Sequence, residues 1–335
     1  MHKFTSLALA GVALLGCATS ASADSLNRAG SLLLYPLFDN SRIGLYTITV
    51  TNTNKDMTPV GGGSQLLNGT VDVEFVYING ANCLEFNRTR RLTPTDTITV
   101  TTLHDNPNQH EGYVYVFAKS PTSGKAIKFD WLAGDSFQVA PGSLGGVDIP
   151  PVVFRAASGL AAGADTDVDS DGVRDLNGNE YEKVSDELIV PRFVAHVPLA
   201  SVPEVLLIGL TGQSFTTIIN FLIYNDNEEV FSAQYSFDCW DRVLLRDING
   251  AFTQTFLATT NHTANENYVG TEYGWFSMDG AVAFSTAASV QDPAFMAVRI
   301  ERFLLTAQSG ASLPYGLGEQ ANGDLVQHGP FPDAN

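Results

Sequence analysis

Short stretches in which apolar and polar residues alternate recur along the whole chain, and this pattern constrains the fold most. The stretches are rich in β-branched and aromatic residues, and few segments have the periodicity of a helix. Turn sequences such as Asn79-Gly80 and Asp279-Gly280 separate them. The predicted strands are 44–51, 70–78, 96–102, 112–118, 126–131, 205–210, 216–224, 230–237, 274–278, 281–287 and 294–303. Short strands at this spacing favour antiparallel sandwiches over a parallel sheet with crossover helices.

Segments of the first half have counterparts in the second half, in the same order. The pairs are 33–38 with 188–193, 75–79 with 221–225, Cys83 with Cys239, and 112–115 with 274–277. This order indicates a duplicated domain, although strand-rich segments also share such patterns without duplication. We therefore expect an all-β chain of two Ig-like antiparallel β-sandwich domains, at 28–150 and 188–310. An acidic linker at 151–187 would join them, and an irregular tail would follow at 311–335.

The N-terminal residues 1–23 have the features of a secretory signal. Lys3 supplies a positive charge, 7–15 form an apolar run, and 21–23 read Ala-Ser-Ala before the predicted cleavage site. A lipoprotein-type sequence ending at Cys17 is an alternative processing site. No later apolar run is long enough to span a bilayer. The sequence predicts an exported protein that is periplasmic, secreted or at the cell surface, with a lipid anchor at Cys17 as the alternative.

The composition excludes two broad classes. Hydrophobic residues make up 44% of the chain, which is enough to bury a large core and excludes wholesale disorder. The 36 acidic residues outnumber the 18 basic ones, for a formal net charge of -18. Binding to a phosphate backbone requires a basic patch, so no nucleic-acid partner is expected.

Two cysteines, Cys83 and Cys239, remain after removal of the signal sequence. In an oxidising compartment they are candidates for one disulfide. Their corresponding positions in the two halves favour separate cores, and the Cα atoms of a disulfide must approach to about 6 Å. Two buried free thiols, one in each domain, are therefore the alternative.

A run of alternating aspartates in the predicted linker is the one sharp chemical motif. Counted from Asp167, the ligand positions of a calcium loop fall on Asp167, Asp169, Asp171, Val173 (through its carbonyl) and Asp175. Gly172 stands at the position where such loops turn sharply. Position 12 is Gly178 instead of an acidic residue, so Glu180 or Glu182 would have to complete the site. The motif predicts structural Ca²⁺ binding, and a solvated acidic linker is the alternative.

This dozen-residue segment resembles the calcium loops of thrombospondin type 3 repeats and dockerins. The resemblance implies an extracellular loop that Ca²⁺ makes rigid. A second resemblance covers 33–38, 48–52, 73–77, Cys83 and 225–229, which look like a group of exported bacterial proteins with paired β-sandwich domains. That resemblance implies the location and the fold, and it implies no activity.

The sequence favours a non-catalytic structural or binding protein over an enzyme. It contains no His-Glu-x-x-His helix, Gly-x-Ser-x-Gly turn or phosphate loop. One alternative is a carbohydrate-binding protein that exposes Trp131, Trp240 or Trp275, with Trp240 the best candidate for exposure. Another is an extracytoplasmic hydrolase with a carboxylate pair that only the fold would bring together. The expected partner is an extracellular protein, a polysaccharide or a second copy of the chain.

Overall fold

A computed structural model of the chain describes residues 28–40, 45–61, 66–139, 146–212, 215–225, 228–259, 272–304 and 308–325. Strands dominate these residues, and their helices are single turns. The predicted all-β class is therefore confirmed. The predicted signal sequence and Cys17 lie outside the described residues.

The described part of the first half is built from short strands. They are β1 (Leu32–Asp39), β2 (Leu45–Asn52), β3 (Val71–Asn79), β4 (Glu85–Leu92), β5 (Thr97–Thr101), β6 (Glu111–Lys119), β7 (Leu132–Val139), β8 (Gly146–Asp148), β9 (Val152–Phe154) and β10 (Asp175–Leu176). The one-turn helix α1 (Thr102–Asp105) follows β5 directly.

The second half continues in the same manner. Its strands are β11 (Val184–Val194), β12 (Ser201–Gly209), β13 (Thr216–Asn225), β14 (Val230–Phe237), β15 (Trp240–Leu244), β16 (Tyr273–Phe284), β17 (Ser289–Gln291), β18 (Phe295–Phe303), β19 (Gln308–Ser312), β20 (Tyr315–Ala321) and β21 (Gly323–Asp324). The one-turn helix α2 (Leu245–Ile248) follows β15 directly, as α1 follows β5. A 3₁₀ turn (Gly250–Phe252) and α3 (Gln254–Leu257) come next.

Four antiparallel sheets contain most of these strands. Sheet 1 has the order β5-β2-β7-β8 and sheet 2 has the order β4-β3-β6-β1-β9, both from the first half. Sheet 3 has the order β15-β12-β18-β19, and sheet 4 has the order β14-β13-β16-β11-β20, with β17 also paired to β16. The strand order of sheets 1 and 2 thus recurs in sheets 3 and 4, strand for strand. A separate ladder of β10 and β21 joins the middle of the chain to its C-terminal part.

Each half has the same β-bulge in its first strand. The β1–β6 register shifts within 35–38, and the β11–β16 register shifts within 190–193. Pro36 and Pro191 lie in these intervals. Proline has no N–H to donate to a ladder and is found at bulges for that reason. The predicted pairing of 33–38 with 188–193 therefore corresponds to one structural feature that occurs twice.

A glycine stands opposite each bulge because the neighbouring backbone leaves no room for a side chain. A Cβ atom added to Gly112 would lie 1.9 Å from the carbonyl oxygen of Ile78. A Cβ atom added to Gly274 would lie 2.3 Å from the carbonyl oxygen of Tyr224. The predicted pairs 75–79 with 221–225 and 112–115 with 274–277 therefore occupy equivalent places.

The sheets pack against one another in the order in which they are numbered. The Tyr35 hydroxyl of sheet 2 donates to the carbonyl oxygen of Thr49 in sheet 1, at 2.8 Å. The Trp240 indole of sheet 3 donates to the carbonyl oxygen of Pro36 in sheet 2, at 3.0 Å. Sheets 3 and 4 enclose a second apolar core that includes Val190, Phe193, Val205, Leu207, Phe221, Phe276, Phe295 and Ala297. Sheets 2 and 3 are consequently the inner sheets.

The four sheets are the blades of a four-bladed β-propeller. The contacts described above join blade 1 to blade 2, blade 2 to blade 3 and blade 3 to blade 4. The prediction of two Ig-like sandwiches is therefore wrong. Leu206 and Ile208 of sheet 3, with Leu176 and Tyr181 of the predicted linker, belong to the same apolar cluster as the first half. The two halves and the segment between them therefore share one apolar core. No blade is formed from one continuous run of strands. In each half, the chain passes back and forth between two sheets.

A disulfide between Cys83 and Cys239 joins the halves, with their Cα atoms 5.9 Å apart. Cys83 lies in the β3–β4 hairpin, whereas Cys239 lies between β14 and β15. The predicted equivalence of the two cysteines, and the alternative of two free thiols, are therefore wrong. The residue that corresponds to Cys83 in the β13–β14 hairpin is Glu228. Both residues have a positive φ, 58° at Cys83 and 64° at Glu228.

Several strands escaped the sequence prediction because their side chains do not alternate. β4 carries Arg88, Arg90 and Arg91, and β7 contains Gly134 and Asp135. The predicted strand 126–131 forms only isolated bridges. The tail expected to be irregular contributes β20, which pairs with β11 along the edge of sheet 4. β9 lies in the expected linker and completes sheet 2.

Candidate metal centre

The aspartate run folds into a compact loop through its own side chains. The Asp169 carboxylate accepts from the Asp171 N–H at 3.2 Å, and the Asp171 carboxylate accepts from the Val173 N–H at 2.7 Å. Asp167 Oδ1 accepts from the Gly172 N–H at 3.5 Å. Gly172 has φ +84°, a left-handed conformation that glycine adopts without a steric cost. The alternate spacing therefore turns successive carboxylates towards the inside of one loop.

Three of the predicted ligands come together in this loop. One carboxylate oxygen each from Asp167, Asp169 and Glu180 lies within 4.8 Å of the others. Glu180 is buried, and its two oxygens accept from the N–H groups of Val168 at 2.6 Å and Asp175 at 3.2 Å. These bonds fix the carboxylate at the mouth of the loop. The alternative late ligand, Glu182, instead forms an ion pair with Arg28.

The other predicted ligands surround this cluster. Burial raises the pKa of Asp175 to about 7, and the carboxylates of Asp324, Glu180, Asp171 and Asp169 add to the rise. Val173 contributes its N–H to the loop, as described above. Asp171 and Asp175 are thus close enough to the cluster to interact electrostatically with its carboxylates. A bound cation would relieve this repulsion.

Sequence reasoning missed one acidic residue at this site, Asp324. β21 pairs with β10, so that Asp324 faces Asp175 across the ladder. Burial raises the pKa of Asp324, and Asp171 and Asp169 raise it further. Asp324 lies 157 residues beyond Asp167 in the chain (324 − 167), so no local spacing could have indicated it.

One buried cation already faces the loop. The Arg174 guanidinium pairs with Asp167 at 3.2 Å and packs over the Phe117 ring of sheet 2, 5.3 Å from its centre. It neutralises one carboxylate of the group and anchors the loop on the inner sheet. The remaining carboxylates keep an excess of negative charge, which suits a divalent cation with oxygen ligands.

The tryptophans do not form the row of exposed aromatic rings that would indicate a sugar platform. Trp240, expected to be exposed, is buried between sheets 2 and 3. Trp275 stacks on Tyr224 with the ring centres 3.9 Å apart. Trp131 alone among the three is exposed, at 51%. The expectation for Trp240 is wrong because the packing of the two halves covers it.

One close carboxylate pair occurs on sheet 1. Asp135 and Asp148 are hydrogen-bonded, and burial together with this contact raises the pKa of Asp148 to about 6. Glycoside hydrolysis requires two carboxyl groups separated by about 5–9.5 Å, which leaves room for a sugar or a water. Both residues are exposed on the sheet surface, so this pair does not favour the hydrolase alternative.

Comparisons of the chain with protein-family models, with curated proteins and with solved structures find no match. Among the described residues, no helix has both the length and the apolar character needed to cross a membrane.

Proposed function

We propose that the chain is an exported, non-catalytic structural or binding protein in which Ca²⁺ in the aspartate loop fastens the two halves together. The observation that carries this proposal is the approach of the Asp167, Asp169 and Glu180 carboxylates to within 4.8 Å. Anionic groups held this close repel one another unless a cation or protons neutralise them. Ca²⁺ suits the loop because it accepts six to eight oxygen ligands in a flexible geometry.

The position of the loop supports a structural role for the ion. Arg174 anchors the loop on sheet 2, and its carbonyl oxygen accepts from the Leu325 N–H at 3.1 Å. The Asp324 carbonyl oxygen accepts from the Gly212 N–H at 3.0 Å, just after β12 of sheet 3. One cation at the loop would therefore stabilise the contact of the first half, the C-terminal strand and sheet 3 at a single point.

The proposed location outside the cytoplasm agrees with the chemistry of the chain. Disulfides such as Cys83–Cys239 persist in oxidising compartments. Extracellular calcium sites function with dissociation constants as weak as about 10⁻⁴–10⁻³ M, because the ion is abundant there. We propose that the partner of the chain is an extracellular protein, a polysaccharide or a second copy of the chain.

Calorimetry on the full chain tests the proposal. Titration of CaCl₂ into protein treated with a chelator is expected to show one binding site, and Mg²⁺ is expected to bind more weakly because it demands a near-octahedral site. At a Ca²⁺ concentration 100 times the dissociation constant, the free energy of unfolding is expected to rise by about 2.7 kcal/mol. The absence of both heat and stabilisation at millimolar Ca²⁺ would contradict the proposal.

Substitution of Asp169→Asn separates ion binding from folding. The variant is expected to bind Ca²⁺ at least about tenfold more weakly, because affinity follows the number of charged ligands. Without Ca²⁺ it is expected to be as stable as the unchanged chain or more so, since one repelling charge is gone. Asp247→Asn serves as a matched control because this exposed acid lies on α2, outside the loop, and its Ca²⁺ affinity is expected to stay unchanged.

A further inference from the structure

A second concave region lies in the first half and is made of residues other than the aspartate loop. It is a groove of about 760 Å³. Its lining includes Trp131, Thr70, Asn54, Asn68 and Arg28. Ligand sites commonly have volumes of about 300–1,000 Å³ and combine apolar walls with a few placed polar groups. The groove therefore has the size and the mixed lining of a small-molecule or oligomer site.

Trp131 presents its indole at this groove from a fixed backbone. Its carbonyl oxygen accepts from both the N–H and the hydroxyl of Thr53, at 2.8 and 2.7 Å. Its own N–H donates to the Phe129 carbonyl oxygen at 2.6 Å. The side chain nevertheless remains 51% exposed. A tryptophan side chain has only two rotatable side-chain bonds, so it loses little conformational entropy when a ligand packs on it.

Two buried polar atoms of the groove lining have no hydrogen-bond partner among the described residues. They are the hydroxyl of Thr70, a residue only 6% exposed, and Nε of Arg28. Thr70 uses its backbone N–H in a bond to Leu67, and the Arg28 guanidinium is paired through Nη2 with Glu182. Buried polar atoms without a partner are uncommon in folded proteins because they cost free energy. Both atoms are hydrogen-bond donors for which the described residues supply no acceptor.

From these observations we infer that the groove binds a neutral glycan chain, with one sugar ring packed on Trp131. A pyranose has an apolar C–H face that matches an exposed indole. Its hydroxyl oxygens match the donors at Thr70 and Arg28 and the amide N–H₂ of Asn54, whose Oδ1 already accepts from the Asp56 N–H. This site uses none of the residues of the calcium proposal, so either proposal can fail without the other.

Charge favours a neutral glycan over an acidic one. The cations that line the groove are already engaged: Arg155 with Asp130 at 3.4 Å, and Lys128 with the Ala157 carbonyl oxygen at 2.9 Å. Arg28 is paired with Glu182, as noted above. The chain as a whole carries a net charge of -18, which repels a polyanion.

A binding experiment with the full chain tests the inference. The neutral ligands are soluble hexasaccharides of glucose, of mannose and of N-acetylglucosamine. A hexamer of a uronic acid is the acidic ligand. We expect at least one neutral hexamer to bind, to change the tryptophan fluorescence and to bind equally with Ca²⁺ or with a chelator. We expect the uronic acid hexamer to bind more weakly. The inference is overturned if no neutral hexamer binds at millimolar concentration, or if the uronic acid hexamer binds as tightly as the best neutral one.

Variants locate the binding in the groove. W131A is expected to weaken it at least about tenfold, and W131F is expected to keep part of the affinity. T70V removes the hydroxyl without changing the shape, so its midpoint of unfolding is expected to be unchanged or higher while its affinity falls about three- to tenfold. Y315A is the matched control, because Tyr315 is exposed on sheet 4. A W131A variant that binds as tightly as the unchanged chain overturns the inference.

Discussion

The two halves share one strand order but bury it in opposite ways. β1 is buried along its whole length, whereas its counterpart β11 is half-exposed over much of its length. β2 alternates between buried and more exposed residues, whereas its counterpart β12 is buried at nearly every position. The inner sheet of the first half therefore corresponds to the outer sheet of the second half.

This difference shows that the packing around a sheet, and not its strand order, decides the amino-acid pattern of its strands. Sheets 2 and 3 have a neighbouring sheet on both faces, so β1 and most of β6 in sheet 2, and most of β12 in sheet 3, are buried on both faces. Sheet 1 has an open face, on which the Thr49 and Thr99 hydroxyls bond across β2 and β5 at 2.9 Å. The two prolines at the bulges show the same difference in burial between the halves. Pro36 is buried and Pro191 is exposed.

Removal of the disulfide tests how firmly the inner sheets are held together, and we expect the largest effect from it. The double variant Cys83→Ala, Cys239→Ala opens a bridge that spans 156 residues. The chain-entropy model gives a loss of about 4–5 kcal/mol in the free energy of unfolding. Urea unfolding under oxidising conditions measures it. A reducing agent should lower the midpoint of the unchanged chain and leave that of the variant in place.

Alanine at the two bulge glycines tests the equivalence of the halves. Gly112→Ala and Gly274→Ala are each expected to cost about 3 kcal/mol, because the new methyl group meets a backbone carbonyl oxygen that cannot move freely. Gly250→Ala is the control, since no atom lies within 4 Å of an added Cβ there. Equal midpoints in urea for the two bulge variants would support one shared local structure. A normal midpoint for either would show that its bulge differs from the other.

A matched pair of truncations tests the opposite burial of the halves. Leu34 on β1 is fully buried, and Ile189, at the same place on β11, is half-exposed. Leu34→Ala is expected to cost about 3 kcal/mol and Ile189→Ala about 1 kcal/mol, because only the first leaves a closed cavity. Chemical unfolding of both variants measures the difference. Equal losses would contradict the assignment of sheet 2 as inner and sheet 4 as outer.

The smallest expected effect is a pH dependence from the outer sheet 1. Burial and the contact with Asp135 raise the pKa of Asp148 to about 6, whereas an unfolded Asp titrates near pH 3.9. The folded chain therefore holds a proton that the unfolded chain has released, and stability falls as the pH rises from about 4 to 6.

Asp148→Asn is expected to remove this loss, with a gain at pH 7 of about 1 kcal/mol or less, because the pair is exposed and screened. Unfolding midpoints at pH 4 and pH 7 measure it. Ser312→Ala on β19, the counterpart of β8, is the control and should leave the pH dependence unchanged. An identical pH dependence in Asp148→Asn and the unchanged chain would show that the pair does not share a proton.

The alternation of apolar and polar residues predicted many of the strands. It failed for strands in which buried and exposed side chains do not alternate. The 230–237 strand was placed correctly, because its exposed and inward side chains alternate clearly. β4 and β7 were missed, since arginines on the first and Gly134 with Asp135 on the second obscure the pattern. At the candidate site, local spacing predicted Asp167 and Asp169, and the structure brings these two close to Glu180, one of two residues that the sequence offered as a late ligand. Asp324 was not predicted, because only the β10–β21 ladder places it there.

The sequence by itself determined the all-β class, the repeated segments and the aspartate loop. Each of these can be recognised from residues that are close together in the chain, such as the alternating residues of a strand or the turn at Gly172. The tertiary structure alone decided which sheets became inner layers, that Cys83 bonds to Cys239, and that Trp240 is covered while Trp131 is not. These outcomes depend on how two similar halves meet, and residues far apart in the chain make that contact.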